Sequence, residues 1–330
     1  MTYPQVFSRI GRSTVEVKQP VELSFVIPVY NGSRTIGRAV ERIHELYADL
    51  PIEVVLVNDG STDSSEQICA SLVERHPETV VFVQLARNFG EHNAELAGLN
   101  QTTGAFAAVL DDDGQNPPEE VRRMYDEIRS GNLDVVFGRY RVKRHGRLRN
   151  LGSWFSDRIA NIMLKKPAEL YLSSFKIMSR FIVDEITRYR GPFPYIGGLI
   201  LRTSRNVGQV EVEHGASSRT VSNYTFRKLL LLWMNMFMNF SILPLRLAGL
   251  LGLATSTASL FLLAAVVIDR LYVNPGVPVG LPTLLVTIVF FAGVQLIILG
   301  TIGEYLGRLF LDQSKSPQFI VRYVKRAACR

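Results

Sequence analysis

Two runs in the last third of the chain, Leu247–Ile268 and Leu281–Gly303, cover 22 and 23 consecutive residues without a charge. A helix that crosses a bilayer needs about 20 such residues. Soluble helices keep a polar face, and neither run leaves room for one. Two transmembrane helices are therefore expected, over 247–268 and 281–303. Lys and Arg in short flanks set the orientation of such helices. Arg227, Lys228 and Arg246 precede the first run, and Arg308, Lys315, Arg322, Lys325, Arg326 and Arg330 follow the second. The linker between them holds Arg270 alone, beside Asp269. The linker should face outward, with both termini in the cytoplasm.

The stretch Leu229–Leu245 is also apolar and is open to two assignments, a third span or a helix lying in the interface. Lys228, Asn235 and Asn239 fall at i, i+7 and i+11, within about 20° of one line on a helix. Such a polar stripe, with Trp233 at headgroup level and Pro244 as a stop, favours an interfacial helix over 226–245.

Upstream the chain reads as an ordinary globular domain. With 47% hydrophobic and 20% charged residues overall, global disorder is excluded. The formal charge of +7 is too small to argue a nucleic-acid partner. It suits an anionic membrane face or a phosphate-bearing ligand. Cys69 and Cys329 are too few for a disulfide framework or a cysteine zinc site. Residues 1–20 are polar, so no secretory signal is expected there.

Short apolar runs at Leu23–Val29, Ile52–Val57, Val80–Leu85, Phe106–Leu110 and Leu133–Phe137 alternate with helix-like segments of mixed polarity. That alternation predicts an α/β domain over 21–225 with a mostly parallel, Rossmann-like sheet covered on both faces. The tail, 305–330, reads as a basic segment. Ligands of such sheets bind beyond the carboxyl ends of the strands. There the chain places Pro28–Gly32, Asn58–Asp63 and the block Asp111-Asp112-Asp113-Gly114-Gln115-Asn116-Pro117-Pro118-Glu119-Glu120. Three adjacent aspartates repel one another unless a cation offsets them. Asp111 and Asp113 share a face in extended backbone, and with the Gln115 amide oxygen they form a hard, all-oxygen set suited to Mg²⁺ or Mn²⁺. The other reading is a solvated acidic turn capping a helix from Pro117. Arg139, Arg141, Lys143, Arg144, Arg147 and Arg149 then pack six cations into eleven residues. This is either a solvated loop or a receptor for a second phosphate-bearing substrate on the same edge. Glu91 and His92 are possible bases, though capping or packing the helix after Gly90 suits them better.

Taken together, Pro28-Val29-Tyr30-Asn31, Asp59–Asp63, Arg87-Asn88-Phe89-Gly90 and the Asp111–Glu120 block resemble the family 2 glycosyltransferases of GT-A fold. Gln115–Glu120, the C-terminal apolar runs and Gly303–Arg308 narrow the resemblance to the polyprenyl-phosphate branch, which includes dolichyl-phosphate mannose synthase and the bactoprenol and aminoarabinose transferases. The resemblance implies an inverting, metal-dependent hexosyl or pentosyl transferase. Its donor would be a UDP-sugar and its acceptor undecaprenyl phosphate, at the cytoplasmic face of a bacterial inner membrane. A homo-tetramer is implied as well. Pro28, Tyr30 and Asp59 would hold the nucleoside, with Asp111 and Asp112 by the ribose and diphosphate. Asp113 and Gln115 would bind the metal directly. Arg139, Arg149 and Ser153 would receive the lipid phosphate, with Arg141 beside them, and Arg219 would close over the donor. The chain departs from the family pattern at Gly32 (commonly Glu), Asn58 (Asp), Gly114 (Leu) and Thr220 (Gly). Two other functions stay open: a transferase that extends a lipid-linked glycan, and a non-catalytic membrane scaffold.

Overall fold

The computed structural model describes residues 20–140, 170–191, 194–213, 243–268, 272, 280–313 and 317–326. The basic run from Arg141 onward, with Arg149, as well as Ser153, Arg219 and most of the 226–245 stretch, lies outside the described residues.

Five strands form where the apolar runs place them: β1 (Leu23–Val29), β2 (Ile52–Asn58), β3 (Val80–Leu85), β4 (Phe106–Val109) and β5 (Val135–Tyr140). The last starts two residues late, after the turn in which the Leu133 N–H bonds the Ile128 carbonyl of the preceding helix. Three strands were not predicted: β6 (Lys176–Ser179), β7 (Val207–Val212) and β8 (Val321–Lys325). The eight-stranded sheet has the order β7-β5-β6-β4-β1-β2-β3-β8. β6 runs antiparallel to β4 and β5, and β8 antiparallel to β3; the remaining pairs are parallel. The carboxyl ends of β1, β2, β3, β4 and β5 therefore share one edge.

Helices α1 (Ile36–Leu46), α2 (Ser65–Arg75), α3 (Glu91–Leu99), α4 (Pro118–Ser130), α5 (Arg180–Thr187) and α6 (Ile196–Thr203) cover the sheet. The period of two in β1 sends Phe25, Ile27 and Val29 into the core under α1, α2 and α4, and Val26 into the core under α3, α5 and α6. α4 starts one residue after the predicted Pro117, which sits in extended backbone as its cap.

α7 (Leu243–Ile268) and α8 (Leu281–Gln313) are 26 and 33 residues long and pack against each other. Among the described residues one helix, α8, carries a window long and apolar enough to cross a membrane, Phe290–Gly307, none of it buried. α7 does not reach that standard over its described residues, so the second expected span stays unestablished. Pro244, read as the end of an interfacial helix, stands in the first turn of α7, where a missing N–H costs nothing. Gly303–Arg308, assigned mostly to the tail, is helical within α8.

The tail itself returns to the domain. Val321–Lys325 pairs with Phe82–Leu85 and completes the sheet next to β3. Tyr323 meets Phe82 edge-on and donates to Glu66, while Lys325 donates to Glu74. The Gln318 amide donates to the carbonyls of Tyr189 and Gly191. Alternation is short here and three of five residues are basic or tyrosine, which hid the strand.

Candidate active site at the carboxyl edge of the sheet

Three loops interlock where β1, β2 and β3 end. Asn31 takes a positive φ of 55°, and its side chain accepts the Thr62 N–H at 2.9 Å. Ser61 and Ser65 hydroxyls accept the N–H groups of Asn31 and Gly32. Asp59, buried, accepts the N–H groups of Phe89 and Gly90 at 2.7 and 2.9 Å. Burial still holds its carboxyl above the ordinary range, against those two bonds and the nearby Arg87. Arg87 lies over the Phe89 ring at 4.4 Å. Gly60 has φ +63°, and a Cβ there would stand 2.5 Å from the Arg87–Asn88 backbone. The Asp59–Asp63 and Arg87–Gly90 motifs are thus two halves of one turn system. Pro28 stands opposite Val57 one residue before the end of β1, and Tyr30 follows the strand with 37% of its surface open.

The three aspartates diverge. Asp111 accepts the Ser174 hydroxyl at 2.9 Å. Asp112 turns to the β1 loop and accepts the Tyr30 N–H at 2.9 Å. Its Oδ2 occupies the space above Gly32: a Cβ on that glycine would lie 2.4 Å from it. Asp113 accepts the Gln115 N–H at 3.0 Å across Gly114, whose φ is +81°. That turn suits glycine better than the bulkier residue of the family pattern.

Burial and the carboxylates of Glu91 and Asp113 push Asp111 up to about 6, with hydrogen bonds from Ser174 and Asn116 opposing. A divalent cation would remove that penalty, and two carboxylates with an amide oxygen are the donor chemistry of Mg²⁺ and Mn²⁺. The residues present therefore fit such an ion. Among the described residues no three His, Cys, Asp or Glu side chains converge as a ready-made cluster. Gln115 differs from its predicted posture: its amide nitrogen, not its oxygen, faces Asp113, at 2.5 Å. A carboxylate draws an N–H donor, and presenting oxygen needs only an amide flip.

Arg139 is exposed at the end of β5, on the same edge. Its neighbour Tyr140 hydrogen-bonds Asn116 and so joins β5 to the acidic loop. His92 is no base here. Its Nδ1 is sealed without a hydrogen-bond partner, its ring meets Tyr195 edge-on, and burial with nearby Lys176 lowers its pKa to about 4. Ser174, Lys176 and Tyr140 were missed by sequence reasoning. They belong to no recognisable motif, and β6 reaches the site only through its antiparallel insertion beside β4.

The profile of glycosyl transferase family 2 matches residues 24–187. The chain is 31% identical over 317 residues to the undecaprenyl-phosphate 4-deoxy-4-formamido-L-arabinose transferase of Serratia proteamaculans, covering 93% of this chain and 95% of that protein. It is 31% identical over 306 residues to the bactoprenol glucosyl transferase of Shigella phage SfX, covering 92% and 99%. Among solved structures, glucosyl-3-phosphoglycerate synthase from Mycobacterium tuberculosis matches with a TM-score of 0.48 and 21% identity, over 65% of this chain and 76% of that one. With its mostly parallel sheet, its interlocked loops at the carboxyl edge and relatives alike over nearly their whole length, the chain belongs to glycosyl transferase family 2.

Proposed function

We propose that this chain transfers a sugar, with inversion, from a UDP-sugar to undecaprenyl phosphate at the cytoplasmic face of the membrane. The observation that carries the reading is the Asp111–Gln115 turn on the same edge as Arg139, in a sheet closed by the strand that follows a long exposed apolar helix. The relatives whose names specify undecaprenyl phosphate or bactoprenol are similar across that helix as well.

Asp111, Asp113 and Gln115 would hold Mg²⁺ or Mn²⁺, which when bound neutralises charge on the departing diphosphate. Asp112 fixes the Tyr30 backbone, so the half-open ring and Pro28 frame the nucleoside. Asp59 acts by tying the Arg87–Gly90 loop against the same pocket wall. Arg139 meets the acceptor phosphate, with Arg141, Arg149 and Ser153 assigned to the same anion and Arg219 to the donor diphosphate. The attacking atom is a phosphate oxygen that already carries charge at pH 7, since its second pKa is about 6. No strong general base is required, which agrees with the packed, proton-poor state of His92.

Topology supports the same reading. β7 precedes α7 and β8 follows α8, and both strands lie in one sheet. The chain between them must cross a membrane an even number of times. Crossings by α7 and α8 satisfy this, and a third by Leu229–Leu245 would not. Reporters fused after Arg330 and near Pro275 should then read cytoplasm and outside.

The test is to incubate the purified chain with undecaprenyl phosphate, Mn²⁺ and a panel of UDP-sugars, and to weigh the lipid product by mass spectrometry. A glycosylated lipid phosphate is expected. Reaction only with a lipid already carrying sugar would assign glycan extension, and turnover of neither would leave a scaffold. Arg149→Ala and Ser153→Ala should weaken use of the lipid and spare UDP binding.

A further inference from the structure

Lys176 and Glu95 form an ion pair at 2.8 Å with side chains 3% and 2% exposed. A lysine is almost never buried to that extent without a partner, and a buried pair contributes little net stability against its desolvation cost. Its position is the informative part. Lys176 stands opposite Val109 in β4, two residues before Asp111. Its Nζ also donates to the Ser174 carbonyl at 3.1 Å. The hydroxyl of that same Ser174 donates to Asp111 at 2.9 Å. Glu95 sits one helical turn beyond Glu91 on α3, and Glu91 bears electrostatically on Asp111.

The contacts form one path: Glu95 fixes the ammonium, the ammonium fixes the Ser174 backbone, and the Ser174 hydroxyl aims one Asp111 oxygen. We infer that Lys176 is a positioning residue, which through Ser174 orients Asp111 for the divalent cation. This rests on the proposed metal role of Asp111. Neutral Met fills a similar volume but releases the Ser174 carbonyl. Asp111 would then lose its aim, although Lys176 is not among the residues that would hold the ion.

The experiment measures Mn²⁺ binding directly, by the spin-resonance signal of the free ion, on full-length protein in detergent, with and without UDP. Thermal melts run beside it. Loss of a partner that orients a ligand typically costs about 10- to 100-fold in metal affinity. Lys176→Met and Ser174→Ala should each weaken Mn²⁺ by an amount in that range. Their combination should be no worse than Lys176→Met alone, because both cut the same path. Ser174→Thr keeps the hydroxyl and should retain most of the affinity.

The paired variant Glu95→Leu/Lys176→Met separates positioning from folding. Removing both charges should return the melting temperature towards wild type while Mn²⁺ affinity stays low. Recovery of affinity together with the melting temperature would reduce the pair to a packing element and overturn the inference. So would wild-type Mn²⁺ affinity in Lys176→Met. If the wild-type chain binds no Mn²⁺ in either condition, the metal assignment of Asp111 fails first and the inference with it.

Discussion

Substituting Gly32 by Ala tests how the acidic loop and the β1 loop are fitted together. The glycine has no positive φ, so its backbone tolerates alanine, and shortening the unfolded chain's freedom would even stabilise by about 0.4–1 kcal/mol. The obstacle is Asp112, whose Oδ2 would lie 2.4 Å from the new Cβ. The carboxylate must withdraw and release the Tyr30 N–H. A hydrogen bond to a charged group is worth about 1.5–3 kcal/mol, so the net loss should be about 1–2 kcal/mol. For a domain of this size that is roughly 2–8 °C in melting temperature. Asp112→Ala forfeits the same bond by itself. In the double variant the clash is gone, and the bond cannot be lost twice. Its melting temperature should match or exceed that of Asp112→Ala, a coupling of at least about 1 kcal/mol. Melts of the four proteins in one detergent, with calorimetric titration of UDP, decide the matter. Additive losses, or a Gly32→Ala protein that melts and binds UDP like wild type, would refute the proposed fit.

Asp113→Ala should lower turnover by at least about 10²-fold while the chain still folds, and activity that survives EDTA would contradict it. Gly60→Ala should cost about 2–4 kcal/mol, from a left-handed φ and a Cβ 2.5 Å from the Arg87–Asn88 backbone, read as a lower melting temperature. His92 titrates near 4 when folded against 6.5 unfolded, so the stability its neutral form contributes is complete above pH 6.5 and drains away as pH falls to about 4. His92→Phe should flatten that acid limb by about 3 kcal/mol in melts taken between pH 7 and 4, because Phe keeps the contact with Tyr195 and has no proton to gain. An unchanged limb would place the titration elsewhere.

What the sequence disclosed followed from local pattern. β1 to β5 are mostly apolar because they are buried on both faces over most of their length, and such runs announce themselves. The acidic block was legible because three adjacent aspartates at a strand end have no cheap structural use. β6 and β8 escaped because an antiparallel insertion depends on partners far away in sequence. Lys176 sits opposite Val109, and Val324 opposite Val83. The role of Asp59 shows the same limit. Its motif marked it as a nucleoside contact, yet both of its oxygens are engaged by backbone of the β3 loop, an arrangement that spacing alone does not reveal. Ser174 and Lys176 were invisible for a simpler reason: each is an ordinary residue type whose meaning comes from standing beneath Asp111.

The strand that closes the sheet also sets a timetable for making the protein. Glu66 and its partner Tyr323 are separated by 257 positions. At about 5–20 residues per second, the ribosome needs on the order of tens of seconds to supply β8 after β3 has emerged. Through that interval β3 presents a bare, hydrophobic edge, the kind of template on which sheets of different chains join. Meanwhile α7 and α8, the long apolar helices, are still being made. The nascent domain must therefore be shielded, or β3 must stay loosely formed, until the returning strand arrives. Synthesis of α7 and α8 is thereby made a precondition for a finished sheet. A chain that stops short of β8 is left with an open edge that quality-control proteases and holdases can recognise.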